Sequence, residues 1–185
     1  MNSTQLFFLI FIFILLVIAL VALVHKNENF SQEIPTNCIC VFDIDGTITC
    51  GLDRAAKAIA RCKELGAKIA INTARPTKWY DDLNLVGLGL LESDFESDFY
   101  HGQPFNCSFV DIKCFQDSIA TTKVNHLHTL STKWNVNKQR IILFDDQWRN
   151  IEKARESGFS GIFANDQLCG LPDNVVTLID DILIG

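Results

Sequence analysis

A five-residue apolar run, Cys38-Ile39-Cys40-Val41-Phe42, stops at once on Asp43-Ile44-Asp45-Gly46-Thr47. A short unbroken apolar run suits a strand covered on both faces, the setting of a parallel sheet. The next residues agree. Leu52, Ala55, Ala56, Ile59 and Cys62 fall on one helical face, with Asp53 expected as the N-cap and Gly66 where the helix ends. Ala67-Lys68-Ile69-Ala70-Ile71 reads as a second strand, closed by Asn72-Thr73-Ala74-Arg75-Pro76. Strand, helix, strand at this spacing is a βαβ unit. The expected fold class is α/β, with a central parallel sheet flanked by helices.

The pattern is least legible from Pro76 to Thr122. Lys78 to Val86 suits a helix, broken by Gly87 and Gly89. Glu92-Ser93-Asp94-Phe95 repeats at once as Glu96-Ser97-Asp98-Phe99 and reads as an exposed acidic loop. Phe99 to Cys114 suits a strand or hairpin. Val124, Leu127, Leu130 and Trp134 then mark a helical face. Arg140 to Phe144 is a strand, Trp148 to Ser157 a helix stopped by Gly158, and Gly161 to Ala164 a strand. Val175, Leu178, Ile179, Ile182 and Leu183 give a last amphipathic helix.

Of the 185 residues, nineteen form one run without charge, Gly, Pro or polar side chain, from Leu6 to Val24. As a helix that run is about 28 Å long, matching the hydrocarbon core of a bilayer. The residues ahead of it carry no basic group, unlike a cleaved signal peptide. The sequence therefore divides into a single transmembrane anchor (1–24), a linker with Pro35 (25–37) and a globular domain (38–185). Lys26 follows the span and nothing basic precedes it, so the positive-inside rule expects a cytoplasmic domain. The net charge of −6 lies outside the span, and without a Lys/Arg cluster it argues against nucleic acid as a partner. The seven cysteines are odd in number and lack C-x-x-C, which reads as reduced, packed thiols. Three N-x-S/T triplets, at Asn2, Asn29 and Asn106, matter only in a lumen.

Four polar clusters stand at strand ends or helix starts: Asp43 to Thr47, Thr73, Lys123, and Asp145-Asp146. In an open α/β sheet, ligands bind beyond the carboxyl ends of the strands. Acids, a hydroxyl and a lysine gathered there suit Mg²⁺-dependent phosphoryl transfer. Carboxylate oxygens hold the cation, lysine offsets phosphate charge, and a carboxylate can act as nucleophile. Receiver domains also combine Asp, Thr and Lys, but with the acid pair first, which is not the order here.

Val41-Phe42-Asp43-Ile44-Asp45-Gly46-Thr47-Ile48-Thr49 resembles the first motif of the haloacid dehalogenase (HAD) superfamily. Thr73 is similar to its second-motif hydroxyl, and Lys123, 22 residues before Asp145, to its third-motif lysine at a helix start. Phe144-Asp145-Asp146, with Asn150 following, resembles the acidic fourth motif. The resemblance implies a Rossmann-like phosphatase fold. It implies Asp43 as nucleophile, Asp45 as general acid/base, and Thr73 and Lys123 holding the phosphoryl group. It also implies Mg²⁺ on Asp43, Asp45 (through its carbonyl), Asp145 and Asp146. Asn150 stands where many members carry an acid, and Lys113 rivals Lys123. Only 26 positions separate Thr47 from Thr73, leaving no room there for a helical cap. A capless site implies large phosphorylated substrates, proteins or membrane lipids, and the first motif is also similar to that of the lipin-type phosphatases. The reading from another class is a HAD-fold scaffold without catalysis. Oligomeric state leaves no sequence signature.

Overall fold

The computed structural model describes residues 37–74, 111–165 and 169–185. The apolar stretch 6–24, the linker before residue 37, and the expected helix and acidic loop between 78 and 99 lie outside the described residues. Among the described residues, no helix is long and apolar enough to cross a membrane.

The strands are β1 Ile39–Phe42, β2 Lys68–Ile71, β3 Ile141–Asp145 and β4 Ser160–Phe163. They form one four-stranded sheet in the order β2-β1-β3-β4. Every neighbouring pair is parallel, with Phe42 level with Ile71 on one side and Phe144 on the other. Helices α1 Leu52–Glu64, α2 Ile112–Trp134, α3 Trp148–Glu156 and α4 Val175–Leu183 cover the sheet.

Strand alternation sorts the core into two layers. Cys40, Phe42, Ile142 and Phe144 face α1 and α4, meeting Ala55, Ile59, Cys62, Val175 and Ile179. Ile39, Val41, Ile141 and Leu143 face α2 and α3, meeting Val124, Leu127, Leu130, Ile151 and Ala154. With both faces covered, the central strands have no polar side, which explains their continuous apolar sequence. The Phe42 and Phe144 rings stack at 4.2 Å between centroids, pinning β1 to β3 just below the acids. Truncating either ring to Ala is expected to cost about 3–5 kcal/mol.

The structure corrects three expectations. Gly51, with φ of 82°, is the N-cap of α1, and Asp53 stands in its first turn. There its charge still favours the positive helix end. Helix α2 begins at Ile112, not near Lys123, capped by Asp111, whose side chain accepts from Cys114 N at 2.9 Å. The added turns extend the helix by about 16 Å. They leave Ile112 exposed at 69% and show no full apolar stripe, so periodicity did not reveal them.

The third correction concerns the cysteines. Cys40 is bonded to Cys62 and Cys50 to Cys169, with Cα separations of 6.4 and 4.9 Å, within the range disulfides span. Cys114 is also disulfide-bonded, its partner outside the described residues. The partners lie 22 and 119 residues apart, spacings without a sequence signature. Cys38 is a buried thiol.

Candidate active site

From β1 the chain passes through α1 to β2 on one side, and from β2, after α2, it comes to β3 on the other side of β1. The order β2-β1-β3-β4 thus reverses direction between β1 and β3, which opens a crevice beyond their carboxyl ends. Asp43 N donates to Phe144 O at 2.9 Å, carrying the ladder one residue past Phe42. That bond fixes Asp43 beside the end of β3, which Asp145 closes. Both are buried.

Lys123 enters from α2. Its Nζ lies 2.8 Å from Asp43 Oδ1 and 2.5 Å from Asp145 Oδ2, and its side chain is only 4% exposed. Asn72, at the end of β2, donates through Nδ2 to the Lys123 carbonyl at 3.0 Å and so steadies that turn of α2. Asp145 Oδ1 accepts from Asn150 Nδ2 at 2.8 Å and from Gln147 N at 2.9 Å. Both Asp145 oxygens are therefore engaged. Gln147 Nε2 donates to Asp146 Oδ2 at 2.9 Å.

The residues after Asp43 wind through a tight turn, Ile44–Ile48, in which Gly46 takes φ of 68°. A Cβ at Gly46 would collide with the Asp146 carboxylate, so glycine is required both by backbone and by space. Thr49 locks the turn: its Oγ1 accepts from Gly46 N and donates to Ile44 O, each at 3.2 Å. Asp45 sits on this turn with an exposed side chain. Thr47 Oγ1 is buried with no hydrogen-bond partner among the described residues.

Of the three clustered carboxylates, Asp43 and Asp145 pair with the Lys123 ammonium. Burial pushes the Asp43 carboxyl up to about 7; Lys123 opposes this and Asp145 and Asp146 reinforce it. For Lys123, burial disfavours the charge, but Asp145 and Asp43 outweigh it and hold the ammonium above its ordinary range. An excess of buried negative charge calls for a cation. Asp43, Asp145 and Asp146 each offer an oxygen, all within 4.8 Å of one another. That set, all carboxylate oxygen, fits a hard divalent cation.

The structure thus brings together Asp43, Lys123, Asp145 and Asp146. Thr73 is buried one residue past Asn72, whose N donates to Phe42 O at 2.9 Å, so it ends β2 beside β1. The Asp45 side chain is not in the carboxylate cluster. Lys113 is exposed in the first turn of α2, about three turns before Lys123. Asn150 is a donor to Asp145, buried at 3% exposure. Asn72 and Gln147 were missed by sequence reasoning. Their only signal was adjacency to Thr73 and Asp146. A cavity of about 340 Å³, lined by Ile112, Phe115, Ile119, Gln147, Arg149 and Asn150, adjoins the site.

The acid phosphatase family model matches residues 21–177, most of the chain. The chain belongs to the acid phosphatase family. It is a hydrolase of the phosphatase type, in agreement with the HAD-like first and fourth motifs. Among solved structures, this acid phosphatase resembles an uncharacterized protein from Corynebacterium glutamicum. The two share 14% identity over 78% of this chain and 93% of the other, with a TM-score of 0.50. At that identity the likeness bears on fold alone. It also matches the cobalt-bound form of a deoxy-D-mannose-octulosonate 8-phosphate phosphatase from Haemophilus influenzae. Identity there is 11%, over 83% of this chain and 91% of the other, at a TM-score of 0.45. A 3-deoxy-D-manno-octulosonate 8-phosphate phosphatase from Yersinia pestis matches at 14% identity, over 83% and 88%, with a TM-score of 0.42. No curated protein matches the chain.

Proposed function

We propose that this acid phosphatase is a Mg²⁺-dependent phosphomonoester hydrolase that forms an aspartyl-phosphate on Asp43. The observation that carries the reading is the Asp43–Lys123–Asp145 arrangement at the β1/β3 crevice. Asp43 attacks phosphorus with one carboxylate oxygen as the ester P–O bond breaks. Asp45, exposed on the adjoining turn, gives its proton to the leaving oxygen. The Asp45 carboxylate then takes a proton from water, which attacks the acyl-phosphate, freeing inorganic phosphate and restoring Asp43. Lys123 and Thr73 hold phosphoryl oxygens through this sequence. Asp43, Asp145 and Asp146, with the Asp45 carbonyl, would hold Mg²⁺, which supplies charge neutralisation between phosphate and carboxylates. Asn150 and Gln147 keep Asp145 and Asp146 aimed at that position.

The segment from Thr47 to Thr73 contains only α1, β2 and their connections, which supports a capless site on this side. An open mouth suits a phosphorylated group presented on a larger molecule, a protein or a lipid. Residues 6–24 would tether the domain to a membrane, restricting it to substrates there. The test is turnover of a generic aryl phosphate by the full chain in detergent, with and without Mg²⁺, beside Asp43→Asn. Mg²⁺-dependent turnover by the wild type alone is expected. Equal turnover by the variant overturns the mechanism.

A further inference from the structure

The face of α2 that carries Lys123 does not end at the phosphoryl site. Ile112, Phe115 and Ile119 stand eleven, eight and four residues before Lys123. Those spacings put all four on one helical stripe. Lys123 meets Asp145 at the carboxyl end of β3, and α2 then runs back toward Ile141, where that strand begins. The earlier turns of α2 therefore extend past the end of the sheet, about 16 Å beyond Lys123. The sheet offers no core to an apolar stripe there. Ile112 is 69% exposed and Phe115 37%, and Ile119 is half-buried.

The start of α3 stands across from this stripe. Ile112, Phe115 and Ile119 line the cavity of about 340 Å³ from α2, and Gln147, Arg149 and Asn150 line it from the start of α3. Two of the facing residues belong to the site already described: Gln147 donates to Asp146, and Asn150 to Asp145. The cavity thus shares a wall with the clustered carboxylates, and Ile119, one turn from Lys123, joins it to the phosphoryl-binding lysine. The polar groups of this wall are committed to the fold's own acids. Gln147 Nε2 and Asn150 Nδ2 hold the carboxylates, and the Arg149 guanidinium pairs with Asp117 and Glu152, each at 2.7 Å. Gln116 is the remaining polar residue of the lining. Paired in this way, Arg149 does not favour a second anion, and the cavity presents a guest with its apolar side. Small-ligand sites begin at about 300 Å³, so this one takes a single ring or a short chain.

We infer that this cavity is the leaving-group subsite, and that it selects phosphomonoesters whose alcohol carries one compact, uncharged apolar group. This rests on the reading of Asp43 and Lys123 as the phosphoryl site. With the phosphoryl group at Lys123, the rest of the substrate follows the same stripe past Ile119 and Phe115 toward Ile112. Binding there takes apolar surface of both partners out of water, which strengthens substrate capture. The hydrolysis itself is unchanged. The inference narrows the substrate class, because a body with two acyl chains exceeds the cavity.

The test is a chain-length series of ethyl, butyl and hexyl phosphate, with glycerol phosphate beside it. The full chain turns these over with Mg²⁺ at one fixed detergent concentration. The alkyl alcohols leave with similar reactivity, so kcat/KM reads the contact made by the chain. It should rise about threefold per methylene, and hexyl phosphate should exceed glycerol phosphate more than about tenfold. Ile112→Asp puts a charge at an exposed lining position, and Ile119→Trp fills the cavity. Each should cut the hexyl-to-ethyl ratio about tenfold while circular dichroism stays unchanged; if Ile119→Trp does not fold, Ile112→Asp decides. A flat series in an active enzyme, or a rise that a folded variant keeps, overturns the inference alone. Turnover of dioleoyl phosphatidate vesicles above that of hexyl phosphate also overturns it, assigning the face to a lipid surface. An enzyme that hydrolyses none of these phosphates, nor an aryl phosphate, overturns the phosphatase reading and this inference with it.

Discussion

Replacing Lys123 by Met removes the ammonium that pairs with Asp43 and Asp145 while keeping most of the apolar stem. The side chains of Lys123, Asp43 and Asp145 are 4%, 7% and 0% exposed, so solvent screens the change poorly. Removing one partner of a buried ion pair costs about 3–5 kcal/mol, because the remaining charge is stranded. In a chain of this size each kcal/mol lowers Tm by about 2–4 °C, so a fall of about 10 °C is expected. The sign with pH follows from the folded-state shifts. The Lys123 ammonium is held above its ordinary range, so its contribution is fully present below the unfolded lysine value and persists across any neutral assay. Its partner Asp43 takes up a proton as pH falls through about 7, and the loss in the variant should shrink there. Thermal unfolding in EDTA at pH 8 and pH 5 gives the comparison. A Lys123→Met variant within about 2 °C of wild type at pH 8 would refute the account of the cluster.

The metal-free wild type should itself lose stability as pH rises. Burial raises the Asp43 carboxyl from 3.8 to about 7, so the native state binds more protons than the unfolded chain between those values. The linked loss is at most about 4 kcal/mol. It should show as a falling urea midpoint from pH 4.5 to 7.5 in EDTA, relative to Asp43→Asn, and should diminish with a divalent cation. Parallel profiles for wild type and variant contradict it. Gly46→Ala forces a side chain onto left-handed backbone and into the Asp146 carboxylate. A loss of about 1–3 kcal/mol is expected, with lowered turnover; unchanged Tm and activity would show that the turn relaxes freely.

The fold was legible where apolar runs met ligand-bearing ends. Cys38 to Phe42 and Ile141 to Phe144 read as strands because both sheet faces are covered, leaving no polar alternation to confuse the period. Asp43, Asp145 and Asp146 were legible because strand ends concentrate the chemistry of such sheets, whereas Lys123 lies inside α2 and was picked out only by its resemblance to the third-motif lysine. The start of α2 was not, because its first turns project with exposed Ile112 and no complete apolar face. Asn72 and Gln147 act through hydrogen bonds to Lys123 and Asp146, contacts that exist only once separate elements have packed. The same holds for the disulfides, whose partners meet only across the folded sheet and helices.

The central claim is that Asp43 carries the phosphoryl group during turnover. Rapid acid quench of the full chain with a ³²P-labelled aryl phosphate and Mg²⁺, followed by peptide mapping, addresses it directly. The account predicts a base-labile acyl-phosphate on the peptide containing Asp43, absent from Asp43→Asn. Label on another residue, or turnover in the variant without any covalent label, contradicts it.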